Sequence, residues 1–239
     1  MLKKRLIPKL VCTSLGSSSS QQFRPVVFLS SGFRQTRLMS DLYSVAKILE
    51  SQGADELICV FNTPSCISYD DICLVITKLS ALLSTPLCIG GLSKYNQSYS
   101  SIFKAGADKI CFNSLIMNKP DKVRQLISIY GSQSVVASAD IKLSDGQYHT
   151  FDKDSTVVPQ ILPDWISLIH DLGFGELLVT SVDRDGNTSL GPDLKLLSSI
   201  VSISYLPLIY GGGLSSSLHF KDTFAYDVSG ICASTYFLK

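Results

Sequence analysis

The chain has 239 residues, 45% of them hydrophobic and 17% charged, with a formal net charge of +1. A chain of this length buries a full core without staples, and so apolar a composition excludes a disordered protein. Near-zero charge supplies no basic field for nucleic acid, no apolar run reaches the ~18 residues of a membrane span, and the start Met1–Leu10 is too short in apolar residues for a secretory signal.

In chain order, short apolar, β-branched runs alternate with amphipathic stretches. The runs fall at residues 5–11, 56–61, 86–89, 109–112, 135–141, 176–181, 207–210 and 230–233. Helical patterns occupy 41–51, 70–83, 95–105, 120–130, 161–172, 194–201 and 216–224. The strands read as continuous apolar runs, the habit of parallel strands covered on both faces. Eight strands with intervening helices predict an α/β fold, either a (β/α)8 TIM barrel or a doubly wound open sheet.

An internal repeat separates the two. Gly53-Ala-Asp-Glu-Leu, Gly106-Ala-Asp-Lys-Ile and Gly173-Phe-Gly-Glu-Leu each end a helix and start a strand, with glycine as the left-handed cap. A longer period relates Asn62 to Asp183 and Cys111 to Cys232, each 121 positions apart, and Gly91 to Gly213, 122 apart. The chain therefore reads as one domain over residues 1–239, built of two half-barrels of four βα units, which closes into an eightfold barrel. Three stretches break the pattern. Residues 14–22 are rich in Ser and Gln and read as a mobile loop. Residues 144–151 read as a turn and short hairpin. After the eighth strand the chain stops at Lys239, so the eighth helix is expected to be short or missing, leaving an apolar flank in need of cover.

The seven cysteines are odd in number, have no C-x-x-C pair, and mostly sit in apolar runs, which predicts buried reduced thiols and a cytoplasmic protein. His149, His170 and His219 are scattered, so no metal site is expected, and no cofactor motif is present.

Function in such a barrel sits at the C-terminal ends of the strands. Gly90-Gly91-Leu-Ser follows the third strand, and Gly211-Gly212-Gly213-Leu-Ser follows the seventh. Asn113 and Ser114 follow the fourth strand, and Ala233 and Ser234 close the eighth. These glycines serve either tight βα turns or phosphate cradles, in which backbone N–H groups and a helix N-terminus meet an anion. Two copies, each paired with a small polar residue on the next strand, favour the cradles and a ligand with a phosphate at each end.

Lys4-Arg5-Leu-Ile-Pro, Gly53-Ala-Asp-Glu-Leu, Ala105-Gly-Ala-Asp-Lys-Ile-Cys-Phe-Asn-Ser and Leu178-Val-Thr-Ser-Val-Asp-Arg-Asp-Gly resemble the cyclase subunit of imidazole glycerol phosphate synthase, from Met1 to about Phe237. The resemblance implies a (β/α)8 barrel, a glutaminase partner that supplies ammonia, and a small bisphosphorylated substrate that is cleaved and cyclised. It also implies two acid–base aspartates, at the ends of the first and fifth strands. The second is Asp140. The first falls at Val11, which transfers no proton, and the loss of one member of such a pair costs about 10²–10⁴ in rate. The family's lysine after the first strand has no match in residues 14–22, and Asn62 replaces a further aspartate whose symmetry mate, Asp183, is retained. Asp140 therefore reads as a general acid or base, or as an aspartate that only bonds a neighbouring loop. Asp183 reads as a substrate contact, and Asp185-Gly186 as a turn.

At the opposite end, Arg5, Glu56, Lys109 and Glu176 open the first, second, fourth and sixth strands with alternating sign. They match the family's ring at the ammonia entrance, and buried charges so placed must pair. The ring reads as a salt-bridge plug or as an ammonia gate, which are compatible. An apolar residue at Val11 beside an intact ring resembles a divergent branch associated with amidination of surface-polysaccharide sugars. The resemblance thus implies an ammonia-using synthase subunit shifted toward sugar amidination. The alternatives are the orthodox cyclase of histidine biosynthesis and a catalytically silent scaffold that activates a glutaminase.

Overall fold

The computed structural model describes residues 3–15, 24–31, 34–61, 67–92, 98–153, 157–187 and 189–238. Eight parallel strands close into a barrel: β1 (Arg5–Leu15), β4 (Leu57–Val60), β5 (Leu87–Gly90), β6 (Lys109–Phe112), β7 (Val135–Ser144), β9 (Glu176–Ser181), β10 (Leu208–Gly211) and β11 (Gly230–Ala233). The pairing of β11 with β1, Arg5 opposite Gly230 through Pro8 opposite Ala233, closes it. This settles the expectation in favour of the barrel over the open sheet.

Around it lie α1 (Leu42–Ser51), α2 (Tyr69–Leu82), α3 (Ser100–Lys104), α4 (Ser114–Asn118), α5 (Pro120–Tyr130), α6 (Leu162–Leu172), α7 (Leu194–Val201) and α8 (Ser217–Phe224). Their starts are written in the sequence. Ser68 and Asp71 form a reciprocal capping box on α2, while Asp41, Asp193 and Ser216 cap α1, α7 and α8 by accepting from N–H groups of the first turn.

The repeated Gly-Ala-Asp phrase has a double role. Gly53 and Gly106 take φ of +88° and +108° where α1 and α3 end. The aspartate then reaches back to the preceding barrel strand: Asp55 Oδ2 accepts from the Leu6 N–H at 2.9 Å, and Asp108 Oδ2 from the Leu87 N–H at 2.8 Å. In the third copy Gly175 replaces the aspartate, and a Cβ there would meet the Ser132 carbonyl oxygen at 2.6 Å.

Two additions lie outside the eightfold pattern. β1 runs past the barrel and pairs antiparallel with β2 (Arg24–Ser31), which pairs with β3 (Arg34–Asp41). The expected loop at 14–22 is thus strand up to Leu15, and residues 16–23 lie outside the described residues, as do Asn62 and Cys66. β7 likewise extends into a hairpin with β8 (Gln147–Phe151) through Asp145 and Gly146, whose φ values of +50° and +78° make the twist-matched turn such hairpins favour.

Among the described residues no helix follows β11. Instead Tyr236 and Phe237 fold back on Phe220 of α8, with ring centroids at 4.5 and 6.2 Å, and Leu238 is buried. That packing covers part of the flank expected to be bare.

The core has two parts. Between barrel and helices lies a large apolar layer that includes the buried Trp165 of α6. Inside the barrel each of the eight strands contributes one residue to a lumen layer: Ile7, Ile58, Cys88, Cys111, Val136, Leu178, Ile209 and Cys232. Cys12, Cys59, Cys88, Cys111 and Cys232 are buried free thiols, and Cys73 is half-buried. No helix among the described residues is long and apolar enough to cross a membrane.

Candidate active site and charged ring

Strand alternation sends Arg5, Glu56, Lys109 and Glu176 into the lumen at the N-terminal end of the barrel. They form a closed ring of ion pairs. Arg5 donates to Glu56 Oε2 at 2.9 Å and also to Glu176 Oε1; Lys109 Nζ donates to Glu56 Oε2 at 2.9 Å and to Glu176 Oε2 at 2.8 Å. Each cation bridges both carboxylates, so the ring is neutral. Glu56 is buried, and its Oε1 has no hydrogen-bond partner. Burial pushes the Glu56 carboxyl up against the pull of Lys109, while the two carboxylates raise Lys109 and Arg5 despite their own burial. The apolar and thiol layer lies directly above the ring. The structure brings all four predicted ring residues together.

At the opposite end Asp140 lies on β7, paired with Thr180 of β9. Asn113, which precedes α4, donates from Nδ2 to Asp140 Oδ2 at 2.9 Å. Burial raises the Asp140 carboxyl to about 6, against the pull of Lys9 and the Asn113 hydrogen bond, and Asp185 and Asp152 push it further up. A carboxyl poised there exchanges protons readily near neutral pH. Val11 is buried on β1, between Val60 of β4 and Phe28 of β2.

The predicted glycines have steric reasons of their own. A Cβ on Gly90 would meet Cys111 Sγ at 2.5 Å; one on Gly91, at φ +80°, would meet the Phe61 backbone at 2.6 Å. Gly212 and Gly213 have φ of +104° and +75°, and their Cβ atoms would meet the carbonyl oxygens of Ser181 at 2.7 Å and Gly191 at 2.1 Å. Tight turns are therefore required at both places. At the second they also wall a cleft, open to solvent, lined by Lys9, Thr180, Asp185, Gly186, Gly211–Leu214 and Cys232–Thr235. Ser234 Oγ is buried there with no hydrogen-bond partner, and Ala233 is buried beside it. Ser114 opens the five-residue α4.

Asp183 sits in a 3-10 turn after β9, and its Oδ2 accepts from the Leu143 N–H at 2.9 Å, which ties the β7–β8 hairpin to the rim. The acid that lines the cleft is Asp185. Tyr148 of β8 donates to Asp193 Oδ1 at 3.1 Å, and the Asp193 N–H donates to the Tyr210 hydroxyl at 2.7 Å, which anchors the hairpin on α7 and β10.

Lys9 is the site residue that sequence reasoning missed. The signal was available: a lysine inside an apolar strand, on the same face as Arg5, Ile7 and Val11 by period two. No group of three or more His, Cys, Asp or Glu side chains among the described residues could hold a metal ion.

Comparison with known proteins agrees with this architecture. The histidine biosynthesis protein family matches residues 23–239. A putative imidazole glycerol phosphate synthase subunit hisF2 of Prochlorococcus marinus is 36% identical over 239 residues, spanning 99% of this chain and 90% of that protein. Imidazole glycerol phosphate synthase subunits HisF of Dictyoglomus thermophilum and of an Exiguobacterium species are 32% and 30% identical, over 99% and 98% of this chain and 90% and 95% of those proteins. On these matches over nearly its full length, the chain belongs to the histidine biosynthesis protein family and is similar to imidazole glycerol phosphate synthase subunits HisF.

Proposed function

We propose that this chain is the ammonia-using barrel subunit of a glutamine-dependent synthase. A glutaminase docks at the ring end and releases ammonia there. The ammonia crosses the ring and the lumen layer to a small bisphosphorylated substrate held at the other end. The observation that carries this reading is the neutral ring of Arg5, Glu56, Lys109 and Glu176 beneath a lumen of aliphatic and thiol side chains. A neutral lumen lined this way admits uncharged ammonia and disfavours ammonium, whose desolvation it does not repay.

At the far end Asp140 moves the proton. Asn113 holds the Asp140 carboxylate, and Asp183 contacts substrate from the rim through its second carboxylate oxygen. One phosphate lies at Gly90, Gly91, the backbone N–H of Asn113 and Ser114, the other at Gly212, Gly213, Ala233 and Ser234. Val11 leaves Asp140 without the partner carboxylate of the orthodox cyclase, which favours chemistry shifted from histidine biosynthesis toward amidination of a surface-polysaccharide sugar.

The test is turnover of the cyclase's bisphosphorylated substrate by the purified chain in excess ammonium salt, which bypasses the partner. Binding without turnover supports the shifted reading. Robust turnover would return the chain to the orthodox cyclase and make Val11 a tolerated change. The scaffold alternative predicts that Asp140→Asn leaves both glutaminase activation and every product unchanged.

A further inference from the structure

The lumen face of β1 reads Arg5, Ile7, Lys9, Val11. Arg5 is neutralised in the ring and Ile7 belongs to the apolar layer, so Lys9 brings a second cation to the opposite side of that layer. It lines the open cleft together with the Gly211–Leu214 turn and Ser234.

Among the described residues Lys9 has no hydrogen bond and no ion pair within 4 Å. The carboxylates of Asp140 on β7 and Asp185 after β9, and the thiols of Cys232 on β11 and Cys111 on β6, act on it at longer range. Those four groups hold it protonated against its burial. A half-buried ammonium without a direct counter-charge is costly. Two further observations point at the same space. Ser234 Oγ is buried without a partner, and no hydrogen bond among the described residues uses the N–H of Gly213, Leu214 or Thr235. A cation, a hydroxyl and three N–H groups lack an acceptor in one cleft, whose one acid among the described residues is Asp185.

We propose that Lys9 completes an oxyanion seat, binding a phosphate group of the substrate from below while the Gly211–Leu214 turn and Ser234 hold it from the sides. This deepens the cradle reading of the proposed function and rests on it. The seat sits at the mouth of the lumen, so a phosphate on Lys9 holds the rest of the substrate over the exit that ammonia would use. Strand β1 thus contributes a binding cation two residues before the position where it lacks a carboxylate.

The experiment is calorimetric titration of the full chain with inorganic phosphate, comparing the unaltered protein with Lys9→Met, Lys9→Arg and Ser234→Ala. Lys9→Met removes a half-buried charge at nearly constant volume, and circular dichroism of each variant checks that it is folded. The expected result is at least a tenfold loss of phosphate affinity in Lys9→Met, a smaller loss in Ser234→Ala, and substantial recovery in Lys9→Arg. Equal affinity in Lys9→Met and the unaltered chain would overturn the role of Lys9 while leaving the cradle standing. A folded, unaltered chain that binds no phosphate at millimolar concentration would overturn both. Turnover with ammonium salt tests the proposed function separately from either outcome.

Discussion

Asn113 Nδ2 lies 2.9 Å from Asp140 Oδ2, so a residue expected on a phosphate spends its amide on the carboxylate that faces the site. An N–H donor favours the charged form of its acceptor, and burial disfavours it. Asp140 rests between the two, at about 6. Removing the donor in Asn113→Leu leaves burial unopposed on that side. A hydrogen bond to a charged group is worth about 1.5–3 kcal/mol, so the carboxyl moves up by about one pH unit or more. Carbon-13 titration of the Asp140 side chain measures this directly; an unchanged midpoint would mean that the contact contributes nothing to the proton affinity.

Asp140 also has a consequence for stability, and its sign differs from that of a salt-bridged aspartate. The folded-state value of about 6 lies above an unfolded value near 3.9, so the folded chain binds this proton more tightly. The carboxyl costs nothing below about pH 4, where both states hold the proton. It becomes progressively destabilising as the pH rises through 4 to 6, reaching about 3 kcal/mol above that window. Asp140→Asn is therefore expected to be more stable than the unaltered chain at pH 7, with the gain fading at pH 4, while losing turnover by about 10²–10⁴. Urea unfolding at the two pH values checks the first part. A variant that is both inactive and less stable at pH 7 would make Asp140 a structural residue.

The ring at the other end obeys the opposite logic, because its charges are satisfied by one another. Lys109→Met leaves Glu56 and Glu176 facing each other with only Arg5 between them. Breaking a buried pair from one side costs about 3–5 kcal/mol, and the partly exposed rim of Arg5 and Lys109 places this change toward the lower value. Chemical denaturation reads the loss. In the proposed complex with a glutaminase, glutamine-dependent turnover should fall while turnover in excess ammonium salt falls less. Equal losses by both routes would place Lys109 outside the ammonia path.

Much of this molecule is legible from residue pattern because the barrel obliges every unit to repeat the same transitions. Continuous apolar runs mark strands covered on both sides, and the Gly-Ala-Asp phrase marks the return from helix to strand, where Asp55 and Asp108 latch the preceding barrel strand. The β2–β3 hairpin was not legible. Arg34–Asp41 carries the polar sequence RQTRLMSD with little to bury, so its strand character comes from pairing with β2 rather than from its own apolar face. The short α4 was hidden for a related reason, since Ser114–Asn118 is one helical turn beside the proline that opens α5. The charged ring was readable as four residues at strand starts, whereas its closure is a property of the barrel. Lys9 is not legible as a site residue because a lysine in a strand reads equally as a surface cation until closure of the barrel places its face of β1 in the lumen.

Gly53 and Gly213 separate conformational strain from lack of space. Gly53 and Gly213 both have positive φ, +88° and +75°. A Cβ on Gly53 would meet nothing within 4 Å, so Gly53→Ala bears only the cost of placing alanine in the left-handed region, about 1 kcal/mol. A Cβ on Gly213 would lie 2.1 Å from the Gly191 carbonyl oxygen and 3.2 Å from the Arg184 Cβ, contacts that backbone and a stem carbon do not readily yield. Gly213→Ala is therefore expected to lose about 2–4 kcal/mol, combining strain with a forced shift of the Gly191 loop. That shift opens the turn beside Leu214, so phosphate affinity should fall with stability in Gly213→Ala and stay unchanged in Gly53→Ala. Paired urea unfolding and phosphate titration of the two variants settle the comparison, and equal stability losses would show that strain alone governs both positions.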